Sequence, residues 1–265
     1  MTLTYGRAES RLSSEEPNPA IDWAVCHCRA VFGGSRKSGA GKASRLGGEG
    51  GSLAGGASRH IFKTGGTKVA ELHLDPAQTA LVVIDLQKGI AAMPCAPYPA
   101  EAVIERSALL AETFRAAGSL VVLVNVHTTD GRDMLRPVTD EPPRAGAWER
   151  PADWAELVPE LRVAPVDHLI TKRQWGAFFG TDLDLQLRRR GIDTIVLCGI
   201  ATHIGVETTA REAYQHGYQQ VFAEDAMTAM EAAQHANSCK YIFPRIGRLR
   251  QTDVIVAALR GERAR

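Results

Sequence analysis

From Ala80 onward, short runs of apolar residues alternate with amphipathic stretches. Ala80-Leu-Val-Val-Ile-Asp85 reads as a buried strand. A helix from Ala100 to Ala117 follows it and stops at Gly118. Further strands are predicted over Leu120–Val126, Asp167–Thr171, Thr194–Gly199 and Gln220–Ala223. A second clear helix covers Asp182–Arg190, with Thr181 and Asp184 as a capping box and Gly191 as its stop. A short edge strand over Arg245–Gln251 and a helix Asp253–Leu259 capped by Thr252 close the pattern. Continuous apolar strands separated by helices call for a parallel sheet covered on both faces, so the predicted fold is a three-layer α/β/α domain.

The pattern fails at two places. Of the 25 glycines, 12 fall between Gly33 and Gly66 among Ser, Ala, Lys and Arg, a stretch with too little apolar surface to offset its backbone entropy. Residues 1–67 are therefore expected to be a disordered Gly/Ser-rich extension, with the folded domain over 68–265. Inside the extension, Cys26-His27-Cys28 lacks the second ligand pair of a closed zinc site. The interval Thr128–Pro165 holds six prolines and is read as a long irregular loop, of the kind that serves as a lid or a subunit contact.

With 31 basic and 30 acidic side chains the formal charge is +1, which gives no electrostatic support to nucleic acid as a partner. The longest apolar runs are far short of the roughly 20 residues of a bilayer helix. Five cysteines without a framework spacing, and a start with no apolar signal, point to the cytoplasm.

In open parallel sheets, ligands bind beyond the carboxyl ends of the strands. The strands deliver Asp85 and Gln87, then Asn125 and His127, then Lys172, then the Gly199-Ile-Ala-Thr-His-Ile-Gly205 turn. Asp85 directly follows an apolar run, so burial raises its pKa while a neighbouring Lys172 lowers it. By position alone, a capping Asp85 with a plain salt-bridge partner is as good a reading as a catalytic one. The amides around Gly205 suit an oxyanion or a carboxylate. No cysteine stands at that turn, and Cys198 lies inside a strand, where a thiol is usually inert packing.

Leu81-Val-Val-Ile-Asp-Leu-Gln87, Ile170-Thr-Lys-Arg-Gln-Trp-Gly-Ala-Phe178 and Val196-Leu-Cys-Gly-Ile-Ala-Thr-His-Ile-Gly-Val206, with Thr209-Ala-Arg-Glu-Ala213 and Ala223-Glu-Asp-Ala226, resemble the isochorismatase-like hydrolase family, in the family's order. The resemblance implies a Rossmann-like domain with a six-stranded parallel sheet, assembled as a homo-oligomer, dimer or tetramer. It assigns Asp85 and Lys172 to catalysis. In the cysteine-hydrolase branch the third catalytic residue is a Cys, and its place here is held by Gly205, as in true isochorismatases. Those enzymes cleave a vinyl ether through an acidic Asp, without a covalent intermediate. The resemblance also implies a non-proline cis peptide at Ile200–Ala201.

Gln87, His127, Trp175, Ile200, Ala201, Thr202, His203 and Gly205 are the candidate substrate contacts. Where isochorismatases carry aromatic residues, this chain has Ala201 and Gly89-Ile90, which points to a different pocket. The region after the second strand offers His127, Asp130 and Asp133 without a second His, so no metal and no cofactor is expected. The expected activity is hydrolysis of a small carboxylated molecule, at a vinyl ether or a C–N bond. The alternatives are a cysteine-branch amidase with a relocated nucleophile, or a non-catalytic ligand-binding or assembly module.

A chain starting near Lys68 is expected to keep full activity and thermal stability; a marked loss of either on truncation would move the domain boundary.

Overall fold

The computed structural model describes residues 71–135, 137–140 and 150–262. The expectations placed on residues 1–67, the Cys26-His27-Cys28 cluster among them, lie outside the described residues. In chain order the elements are β1 (Thr79–Ile84), α1 (Lys88–Ala91), α2 (Ala100–Ala116), β2 (Leu120–Val126), β3 (His168–Lys172), α3 (Leu183–Arg189) and β4 (Thr194–Ile200). There follow a π-helical turn (Thr202–Val206), α4 (Glu207–Gln215), β5 (Gln219–Thr228), α5 (Ala232–Asn237), α6 (Phe243–Ile246), β6 (Arg248–Arg250) and α7 (Thr252–Leu259).

All six strands are parallel, in the order β3-β2-β1-β4-β5-β6. The order in which successive strands are added reverses between β1 and β4, and this switch point is where loops from the two halves diverge and leave a crevice. β1 and β4 are buried at every position, as their uninterrupted apolar sequence requires. No helix among the described residues is long and apolar enough to cross a membrane.

Four local expectations are corrected. The fifth strand does not stop at Ala223. Its pairing with β4 jumps from Leu197↔Phe222 to Gly199↔Met227, so Ala223-Glu-Asp-Ala226 is a bulge that turns Glu224 and Asp225 out of the ladder. Thr252 does not cap α7 with its own side chain. Its N–H and hydroxyl both donate to Asp225 Oδ1, at 2.8 Å, so the bulge caps the helix from outside. At α3 there is no capping box: Thr181 Oγ1 accepts from Leu183 N, while Asp184 is taken by Arg188 and Tyr218. The expected strand over Arg245–Gln251 shrinks to β6, because Phe243–Ile246 is helical.

Gly199 sits where β4 presses on β1. Its φ is +119°, and a Cβ there would lie 2.0 Å from the Ile84 carbonyl oxygen, a backbone atom held in the ladder. Gly199→Ala is therefore expected to destabilise the fold by on the order of 3 kcal/mol or more, read as a fall in urea midpoint; an unchanged midpoint would show that the two strands can separate there.

Candidate active site

β1 ends at the switch point with Asp85, whose backbone turns left-handed (φ 53°) and leaves the pleat. Lys172, at the end of β3, reaches past β2, roughly two strand spacings of about 4.8 Å. Its Nζ donates to Asp85 Oδ2 at 2.7 Å. The two side chains are almost wholly buried. The loop after Lys172 curls back so that the carbonyls of Gln174 (3.2 Å) and Trp175 (2.8 Å) accept the other two ammonium protons. An ammonium has three donors, and all three are committed. Lys172 thus holds and polarises Asp85 and has no proton left to offer a substrate carboxylate.

Burial lifts the Asp85 carboxyl to about 6, against the opposing pull of the Lys172 charge and hydrogen bond. The other oxygen, Oδ1, is buried and has no hydrogen-bond partner among the described residues. A protonated Asp85 would carry its proton there, since Oδ2 is occupied by Lys172.

The turn after β4 completes the site. The Ile200–Ala201 peptide is cis. The N–H groups of Ile204 (3.1 Å) and Val206 (3.3 Å) both donate to the Ala201 carbonyl, which winds the chain back on itself. Those two amides are consumed and do not serve an oxyanion, contrary to the expectation for this turn. The winding brings Gly205 onto the acid–amine pair. A Cβ on Gly205 would lie 3.1 Å from Asp85 Oδ2 and 3.5 Å from Lys172 Nζ. His203 is half-buried beside it, and burial holds its imidazole below the ordinary histidine range, partly countered by Glu207 and Glu231. Its Nδ1 has no partner among the described residues.

Helix α4 fastens the two loops together. Thr209 Oγ1 donates to the Gly205 carbonyl (2.7 Å) and accepts from Ala177 N (3.1 Å), and Glu212 accepts from Phe178 N (3.1 Å). A Cβ on Gly176 would collide with the Glu212 carboxylate at 2.2 Å, so the Trp-Gly-Ala-Phe and Thr-Ala-Arg-Glu segments are two halves of one joint.

A model of the isochorismatase domain matches residues 79–254, which include every residue of the site. The chain belongs to the isochorismatase family. An uncharacterised isochorismatase family protein of Bacillus subtilis, YwoC, is 56% identical over 182 residues, which are 69% of this chain and 94% of the relative. YecD of Escherichia coli O157:H7, likewise an uncharacterised isochorismatase family protein, is 50% identical over 71% of this chain and its own full length. Among solved structures, an isochorismatase family protein from Burkholderia thailandensis superposes with a TM-score of 0.68 at 42% identity, covering 72% of this chain and all of the other.

Within this family framework the remaining candidate contacts divide sharply. Ile200, Ala201 and Thr202 are buried in the turn or in the strand leading to it. Gln87 is not available to a substrate. Its side-chain amide accepts from Val126 N (2.8 Å) and donates to the carbonyls of Val126 (3.1 Å) and Trp154 (3.3 Å), standing in for the strand neighbour that β2 lost when β1 ended. His127 is exposed just past the end of β2. Trp175 serves the site through its carbonyl, and its indole is 65% exposed.

The place of Gly89 is filled by a residue that sequence reasoning left unassigned. The Trp154 indole packs so closely on Gly89 that a Cβ there would lie 1.9 Å from it. Lys88 pins the same segment through Asp153 (3.0 Å) and Glu156 (2.7 Å). After β2, Asp133 is held by Thr128 and Arg173, and among the described residues no three His, Cys, Asp or Glu side chains are grouped to hold a metal.

Gln87→Met would leave the buried Val126 and Trp154 groups without partners, at a cost of about 1–3 kcal/mol in urea denaturation. An unchanged midpoint with a raised KM would instead make Gln87 a substrate contact.

Proposed function

We propose that this isochorismatase-family hydrolase cleaves the vinyl ether of a small carboxylated substrate, with Asp85 as the acid and no thiol nucleophile. The observation that carries the reading is the arrangement at Asp85. One oxygen is fixed by an ammonium whose donors are exhausted, the other is buried without a partner, and the residue facing the pair is a glycine.

Protonating carbon requires an acid that is neutral near working pH, and a carboxyl lifted to about 6 meets that need. Asp85 Oδ1 gives its proton to the terminal methylene of the enol ether, leaving an oxocarbenium ion. Water adds to the cationic carbon and returns a proton to Asp85. The hemiketal then breaks its C–O bond, releasing an alcohol and a 2-oxo acid. Lys172 limits how far burial raises Asp85 and keeps the carboxyl oriented. His203 Nδ1, a buried polar atom two residues before Gly205 without a described partner, is the group proposed to meet the substrate carboxylate.

Two of the described thiols support the same reading. Cys198 lies in β4 with burial pushing it up to about 12, and Cys239 is likewise at about 12 under burial and the nearby Glu224 charge. Neither ionises readily, and a protonated thiol is a poor nucleophile.

The pH dependence has a definite sign. The acid form of Asp85 is populated below about 6, so the turnover rate should be flat at low pH and fall about tenfold per unit above about 6. On a panel of enol ethers, amides and carbamoyl compounds, turnover is expected with an enol ether, to be lost in Asp85→Asn, and to survive iodoacetamide. Turnover confined to amides, or abolished by iodoacetamide, would overturn the mechanism; thermal stabilisation by small carboxylates without any turnover would identify a binding protein instead.

A further inference from the structure

Behind the Gly205 turn lies a polar network that the proposed chemistry does not use. Thr202, fully buried, donates its hydroxyl proton to the Thr228 carbonyl at 2.9 Å. Its second contact is to His235 Nδ1, at 2.9 Å. His235 comes from α5, is buried, and turns its Nε2 to Glu224 Oε1 at 3.1 Å. Glu224 stands on the β5 bulge and also accepts from Tyr98 (3.1 Å) and Gln251 (2.6 Å). Burial works against its ionisation, but these bonds outweigh it and hold the carboxyl below the usual range. Tyr98 meets the imidazole edge-on at 5.9 Å, and its carbonyl accepts from Thr228 Oγ1 at 2.7 Å.

Thr202, His235, Glu224, Tyr98 and Thr228 are thus each held by at least two others, and the chain of contacts ends on the first residue of the turn that carries Gly205. A surface loop would not need such bracing; a turn that must meet a buried acid within a few tenths of an ångström does.

We propose that His235 is a positioning residue that, through its contact with Thr202, holds the Gly205 turn against Asp85 and Lys172. The role rests on the functional reading above, but it is testable apart from it. An asparagine amide hangs from the same carbon position as His Nδ1, and a glutamine amide from that of Nε2. His235→Asn therefore keeps the contact to Thr202 and drops that to Glu224, whereas His235→Gln does the reverse.

The expected result is that His235→Gln and Thr202→Val lose kcat by roughly tenfold or more, with KM changed less than about threefold. His235→Asn should stay within about threefold of the parent in both. Amide hydrogen exchange should quicken at residues 202–206 in the first two variants, with β1 and β4 still protected. Parental kcat and exchange in His235→Gln, or exchange that rises evenly over the whole sheet, would overturn the role. If the parent protein turns over no enol ether, the functional reading fails while the exchange pattern still decides whether His235 holds the turn.

Discussion

A carboxyl and an ammonium taken out of water together are costly unless every remaining hydrogen-bonding valence is met, and the architecture around Asp85 and Lys172 follows from that constraint. Lys172 meets it with two backbone carbonyls, which forces residues 173–178 into a tight curl. The curl needs an external hold, supplied by Thr209 and Glu212 of α4. Asp85 meets it only in part, through Oδ2, and the uncompensated Oδ1 is what keeps the group easy to protonate. The pair is therefore asymmetric, with the ammonium saturated and the acid half-satisfied, a division suited to an acid that must release its proton to something else.

The same constraint gives Gly205 its place. The turn after β4 packs against the pair so closely that even a methyl group would crowd Asp85 Oδ2. The same Cβ would lie 2.9 Å from Ile84 Cγ2, so any side chain at this position would have to displace its neighbours. The sheet supplies the rigid frame for so tight a contact: β1 and β4 are buried along their whole length, and Gly199 lets them touch just before both chains leave the ladder. Loops built on such strands inherit their precision.

Much of this was legible in the sequence, and what was missed shares one physical cause. Strand positions, sheet class and the meeting of Asp85 with Lys172 follow from apolar periodicity and from the rule that strand ends converge. Gln87, His127 and Trp175 sit at strand ends too, but whether a polar side chain there faces a ligand, solvent or an orphaned backbone group depends on contacts across tens of residues. Gln87 replaces a missing strand neighbour, His127 is exposed, and Trp175 contributes a carbonyl that any residue could supply. The Glu224–Asp225 bulge escaped for a similar reason: an apolar strand that resumes after two acids reads as a strand that ended. His235 gave no signal at all, being a histidine on a short helix whose partners lie on β5 and in the turn after β4.

The most direct test is a pH titration of the Asp85 carboxyl itself, by carbon-detected NMR or infrared difference spectroscopy, in the parent protein and in Lys172→Met. A midpoint near 6 is expected in the parent, and a higher one once the ammonium that opposes burial is gone. A parent midpoint near 4, or one that does not rise when Lys172 is removed, would mean that the acid is solvated and that the proposed chemistry has no proton to use.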